Sequence, residues 1–110
     1  MTAAHVESQA ADRRAWIVRW MLLWTTHGRS PRITVHDALG LPMAYELHGF
    51  EGHLLGDDVR KLFALGVFDR HRVSGRGWVY WLADPVAAKE WVKAWPVPPI
   101  CDSLEFSKSD

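Results

Sequence analysis

Residues 54–83 read LLGDDVRKLFALGVFDRHRVSGRGWVYWLA, and the reading of this stretch decides the fold. Asp57 and Asp58 stand where a first helical turn prefers carboxylates, because a helix N-terminus carries partial positive charge. Val59, Leu62, Phe63 and Gly66 recur at the i, i+3, i+4, i+7 spacing of one buried helix face. Gly66 is placed to end the helix in a left-handed cap. Val67 to Val73 is extended in character, Ser74-Gly75-Arg76-Gly77 is turn chemistry, and Trp78 to Leu82 is aromatic and β-branched, as a returning strand should be. The spacing predicts a helix over 55–65 that feeds a β-hairpin with a basic tip. Phe68, Arg70 and Arg72 share one face of its first strand. Both faces of the return strand are apolar, so the base of the hairpin is expected to lie between the helical core and another element such as the C-terminal helix.

Upstream, residues 1–11 are polar and alanine-rich and read as a flexible lead-in, and a first helix is predicted from Asp12 to His27, stopped by Gly28 and Arg29-Ser30-Pro31. At about 100° per residue, Trp16, Trp20, Leu23, Trp24 and His27 fall together, and Ile17, Val18, Met21 and Leu22 continue the apolar arc. A helix so widely apolar needs cover on several sides, which predicts a central helix that also meets a second copy of the chain. Ile33 to Leu39 reads as a short helix with Thr34 as N-cap, closed by Gly40-Leu41-Pro42. A brief extra helix from Met43 to His48 and a loop through Phe50, Glu51 and His53 fill the interval before Leu54.

Downstream, Asp84-Pro85 is a helix start, with Asp as N-cap and Pro at the first helical position. That helix is predicted to run to about Trp95, with Ala88, Trp91, Val92 and Trp95 as its apolar stripe. The domain is therefore expected over 12–95, followed by a Ser- and charge-rich flexible tail over 96–110.

A helix ending in Leu-Gly-Val-Phe, followed at once by a hairpin carrying Arg70, Arg72 and Arg76, resembles the recognition helix and wing of winged-helix DNA-binding domains of the generic MarR/ArsR-like kind. The run Ile-Thr-Val-His-Asp-Ala-Leu-Gly-Leu-Pro looks like the second helix and turn of a helix-turn-helix. The chain departs from that pattern in the interval from Pro42 to Gly66, which is too long for one helix and is broken by Gly49, Gly52 and Gly56. The resemblance implies an α+β fold, mainly helical with a small β-hairpin: a winged helix-turn-helix with an additional C-terminal helix. It implies a cytoplasmic transcriptional regulator that binds double-stranded DNA in sequence-specific fashion as a homodimer. Arg60, Lys61, Arg70, Arg72 and Arg76 would contact DNA, and Trp16, Trp20, Trp24, Trp91 and Trp95 would join the two copies. The alternative is a winged-helix module that binds protein instead, an adaptor or subunit of a larger complex.

Composition bounds these readings. With 110 residues, 48% hydrophobic and 24% charged, the chain is one globular domain with a sizeable core. Seven Trp residues must fill a core or an interface. Lys plus Arg and Asp plus Glu are both 13, which argues against nonspecific nucleic-acid binding but leaves room for a local basic face. Cys101 is the only cysteine, which excludes an internal disulfide. No secretory leader is read at the N-terminus, and the apolar run from Ala15 to Trp24 is too short to span a bilayer. His48, Glu51 and His53 cluster locally but lack the i, i+4 spacing of a zinc-binding helix, so no metal or other cofactor is expected. With no phosphate loop or nucleophile elbow, and with the adjacent Asp57 and Asp58 pointing in different directions, no enzyme is expected.

Overall fold

The computed structural model describes residues 3–94, with side chains from residue 9 onward. In chain order the elements are α1 (Ala3–Leu23), α2 (Leu41–His48), a single 3-10 turn at Gly52–Leu54, α3 (Leu55–Ala64), β1 (Phe68–Val73), β2 (Gly77–Leu82) and α4 (Pro85–Lys93). Helices and one antiparallel hairpin thus make a mixed α+β fold. None of the described helices is long and apolar enough to cross a membrane.

α1 is the central element and touches α2, α3, α4 and β2. Ala15, Ile17, Val18 and Met21 are buried on it and meet Leu41 and Tyr45, then Leu55, Val59 and Leu62, then Phe68, Tyr80 and Leu82, and finally Ala88 and Val92. The bounds of α1 differ from the sequence expectation at both ends. Residues 3–11 join the helix instead of leading into it, since alanine favours helix wherever nothing breaks it. At the other end the helix closes at Leu23, because Thr25 Oγ1 donates to the Met21 carbonyl and Thr26 pairs with Arg29. His27 (φ 53) and Gly28 (φ 74) form the tight turn of that pair, and a two-residue turn with both φ positive suits glycine in its second place. His27 is therefore a turn residue and not the last turn of a helix.

The helix expected over 33–39 is absent. Ile33 lies beside β2, donating to Tyr80 O at 2.9 Å and accepting from Tyr80 N at 2.8 Å. The Asp37 carboxylate accepts from Thr34 N at 3.0 Å and from Thr34 Oγ1 at 2.9 Å, and Thr34 Oγ1 accepts from His36 N at 3.2 Å. These bonds satisfy locally the donors a helix would have used. Pro42 opens α2 instead of closing a helix before it, consistent with proline's fitness for the first helical turn.

α2 and α3 end alike. The N–H of Phe50 reaches the carbonyl of Tyr45 (3.2 Å) and that of Val67 reaches Leu62 (3.0 Å), six-to-one bonds of the Schellman type. Gly66 (φ 82) holds the left-handed residue this cap needs. The turn delivers the chain into β1, which pairs with β2 from Phe68↔Leu82 to Val73↔Gly77. α4 begins as its sequence predicts, with Asp84 Oδ1 accepting from Val86 N and Ala87 N at 3.0 and 3.2 Å. It packs on α1, so the hairpin is backed chiefly by α1 and α3 and not by the C-terminal helix. Trp95 and the tail over 96–110 lie outside the described residues.

Candidate nucleic-acid interface

The basic residues lie on two neighbouring elements, α3 and the hairpin. α3 exposes Asp57, Arg60, Lys61 and Ala64, the outward face its spacing predicts, while Leu55, Asp58, Val59 and Leu62 are buried. Arg60 pairs with Asp57 one turn back, which neutralises both on an exposed face. Lys61 is exposed and forms no ion pair among the described residues. On the hairpin, Arg72 and Arg76 are exposed and Arg70 is half-buried. Arg76 Nη2 lies 3.6 Å from Asp37 Oδ1, which turns the tip back toward the 34–37 turn. Such solvated pairs contribute about 1 kcal/mol or less, so a polyanion competes with them easily.

Arg70 differs from the other arginines. Its guanidinium carbon is 4.0 Å from the ring centroid of Phe63 on α3 and 4.0 Å from that of Trp78 on β2, with Tyr80 Oη 3.5 Å from Nη1. Arg72 extends the stack, 5.8 Å from the Trp78 centroid. Cation–π contacts of this kind contribute on the order of 0.5–2 kcal/mol each, more as the cation loses water. The Trp81 ring, on the other face of β2, is covered by Arg32 at 4.1 Å.

The tryptophans expected at a copy–copy interface divide. Trp16 is absorbed within the chain, its ring centroid 6.0 Å from Tyr45, 5.0 Å from His48 and 5.5 Å from Phe50. Trp20 is half-buried and stacks at 6.1 Å on Trp24, which is 58% exposed beside an exposed Leu23. Trp91 is half-buried and lines a cleft of about 200 Å³ with Leu65, Val67 and Ala87.

Asp58 stands in the first turn of α3, as its sequence predicts, but its side chain belongs to the core, which the sequence reading missed. It is fully buried, and its carboxylate accepts from Arg13 Nε (2.8 Å), Arg13 Nη2 (3.1 Å), Arg14 Nε (3.1 Å) and Tyr45 Oη (2.7 Å). Burial pushes the Arg13 pKa down, but the hydrogen bond and charge of Asp58 more than offset it and leave the group above its ordinary value. Burial, then the same carboxylate, pushes the Tyr45 phenol well above its ordinary range. The signal was available: with the stripe started at Leu55, position 58 falls on the buried face, and a carboxylate there needs cationic or hydroxyl partners.

His48, Glu51 and His53 do not gather. His48 packs against Trp16 and Phe50, which also touch each other, and His53 Nε2 faces Glu51 across 3.6 Å of exposed surface. Burial pushes the His48 imidazole below its ordinary pKa. Among the described residues, no group of three or more His, Cys, Asp and Glu side chains could hold a metal ion. Compared with protein-family models, with curated proteins and with solved structures, the chain matches none.

Proposed function

We propose that the chain is a winged helix-turn-helix domain that binds double-stranded DNA and regulates transcription as a homodimer in the cytoplasm. The order of elements supports this reading: helices α1 to α3, a hairpin directly after α3, and an extended stub at Ile33 that pairs with the return strand. The observation that carries it is that Lys61 and Arg60 on α3 and Arg72 and Arg76 on the hairpin are all exposed on adjacent elements. In that arrangement α3 enters the major groove and the tip over 74–77 lies against the backbone or minor groove. Trp24 and Leu23, exposed at the end of α1, are the apolar surface offered to a second copy.

The test is retention of the purified chain on random-sequence duplex DNA as salt rises. A DNA binder is held at low salt and released between about 50 and 200 mM, with log K falling linearly against log salt. Arg72→Ala with Arg76→Ala should abolish retention while leaving the circular dichroism spectrum unchanged. A second reading, a module that docks on protein, draws support from Met43 and Leu47, which are 45% and 80% exposed beside Glu46. A chain that ignores duplex DNA at the lowest salt favours this second reading.

A further inference from the structure

We propose that Arg70 is a positioning residue: gripped between Phe63 and Trp78, it sets the angle between α3 and the hairpin, so that phosphate contact from the hairpin falls to Arg72 and Arg76. This deepens the DNA-binding reading and rests on it.

The Arg70 guanidinium carbon lies over two rings, each with its centroid 4.0 Å away, and the rings belong to two different elements. A planar, delocalised and weakly hydrated cation lies flat between two rings, whereas an ammonium is a strongly hydrated point charge with no flat face. Arg70 therefore joins the helix that would enter a groove to the hairpin that would flank it. Its cross-strand partner is Tyr80, whose backbone is held by Ile33 and whose hydroxyl lies 3.5 Å from Arg70 Nη1, so the β2 side of the clamp is anchored in the core. Trp78, the outer jaw, is the cross-strand partner of Arg72, and its ring carries the orientation on to that exposed cation. Arg72 and Arg76, by contrast, are exposed and meet at most one ring or one solvated carboxylate.

The experiment titrates the full chain and its Arg70→Lys, Arg70→Gln, Arg72→Gln and Arg76→Gln variants against a fluorescently labelled random-sequence duplex between about 50 and 200 mM salt. Arg70→Lys and Arg70→Gln should weaken binding equally, by about tenfold, with the wild-type salt slope. Arg72→Gln and Arg76→Gln should each flatten that slope by about 0.9, one phosphate contact apiece. If Arg70→Lys binds like wild type while Arg70→Gln flattens the slope, charge and not the planar stack matters, and the proposal is overturned. A second measurement needs no DNA: amide hydrogen exchange over 68–82 should quicken about tenfold in both Arg70 variants. Unchanged exchange overturns the clamp whatever the titrations give. A wild-type chain that fails to bind the duplex ends the DNA-binding reading alone, and the exchange measurement still decides whether Arg70 holds the hairpin.

Discussion

The phenol of Tyr45 donates to Oδ2 of Asp58 at 2.7 Å, and neither residue is exposed to solvent. Together with Arg13 and Arg14 this carboxylate ties α1, α2 and α3 at one point. A buried ion pair adds little over a well-packed apolar core, but removing one member leaves the others uncompensated. Asp58→Ala should therefore cost about 3 kcal/mol, the lower end of the range for broken buried pairs, because Arg13 and Arg14 keep some solvent contact. In a domain of this size that lowers the unfolding midpoint by more than about 10 °C. Tyr45→Phe should cost about 1–2 kcal/mol, since Asp58 retains its arginines. Thermal and urea denaturation followed by circular dichroism measure both, and a loss below about 1 kcal/mol in Asp58→Ala would contradict this account.

His48 predicts a pH dependence. Burial lowers its folded pKa, so on acidification the unfolded chain takes up the proton first. The stability linked to this group is whole above the unfolded value of about 6.5 and is lost as the pH falls from there through the folded value. His48→Phe keeps a ring against Trp16 and Phe50 and removes the titration, so its stability should fall less than that of wild type between about pH 7 and pH 5. Parallel stability curves for the two proteins would count against the assignment.

The cap of α4 is testable alone. Asp84→Ala removes the acceptor for Val86 N and Ala87 N and should cost about 1 kcal/mol, with Asp84→Asn or Asp84→Ser recovering most of it. Equal losses in all three variants would mean that the side-chain oxygen is not what caps the helix.

Trp16 and Trp24 should behave oppositely. Trp16→Ala empties a site among Tyr45, His48 and Phe50 and should cost about 3 kcal/mol in denaturant unfolding. Trp24→Ser removes a mainly exposed ring and should change stability by less than about 0.5 kcal/mol. If two copies meet at this end of α1, sedimentation of Trp24→Ser should report a monomer where wild type reports a dimer. Unchanged sedimentation places any association elsewhere.

What was legible in the sequence was what local chemistry fixes. The α3–hairpin unit follows from apolar spacing, one cap glycine and a four-residue turn, and Asp84-Pro85 marks α4 by itself; both are found where expected. The stretch 33–39 misled because Thr34 and Asp37 resemble a helix start, while the partner that makes Ile33 extended is Tyr80, far along the chain. Pro42 suits a stop and a start equally, since proline plays both roles with the same φ, and here it starts α2. Asp58 satisfies two rules at once, the preference for carboxylates in a first turn and the buried-face spacing from Leu55, and only the second brings it to Arg13, Arg14 and Tyr45. The covering of Arg70 by Phe63 and Trp78 depends on how a strand lies against a helix, which no spacing rule reports.

The pairing of Ile33 with Tyr80 has a consequence for solubility. Because Tyr80 spends its backbone groups on Ile33, those of its partner Arg70 point away from β2, toward the outer rim of the sheet. A strand with open donors and acceptors is a template for edge-to-edge aggregation. Here the carboxylate of Asp69 accepts the Arg70 N–H at 2.8 Å, and Asp69, Arg70, His71 and Arg72 follow one another along β1. Charge and a self-supplied acceptor thus guard that margin against fibre-like stacking.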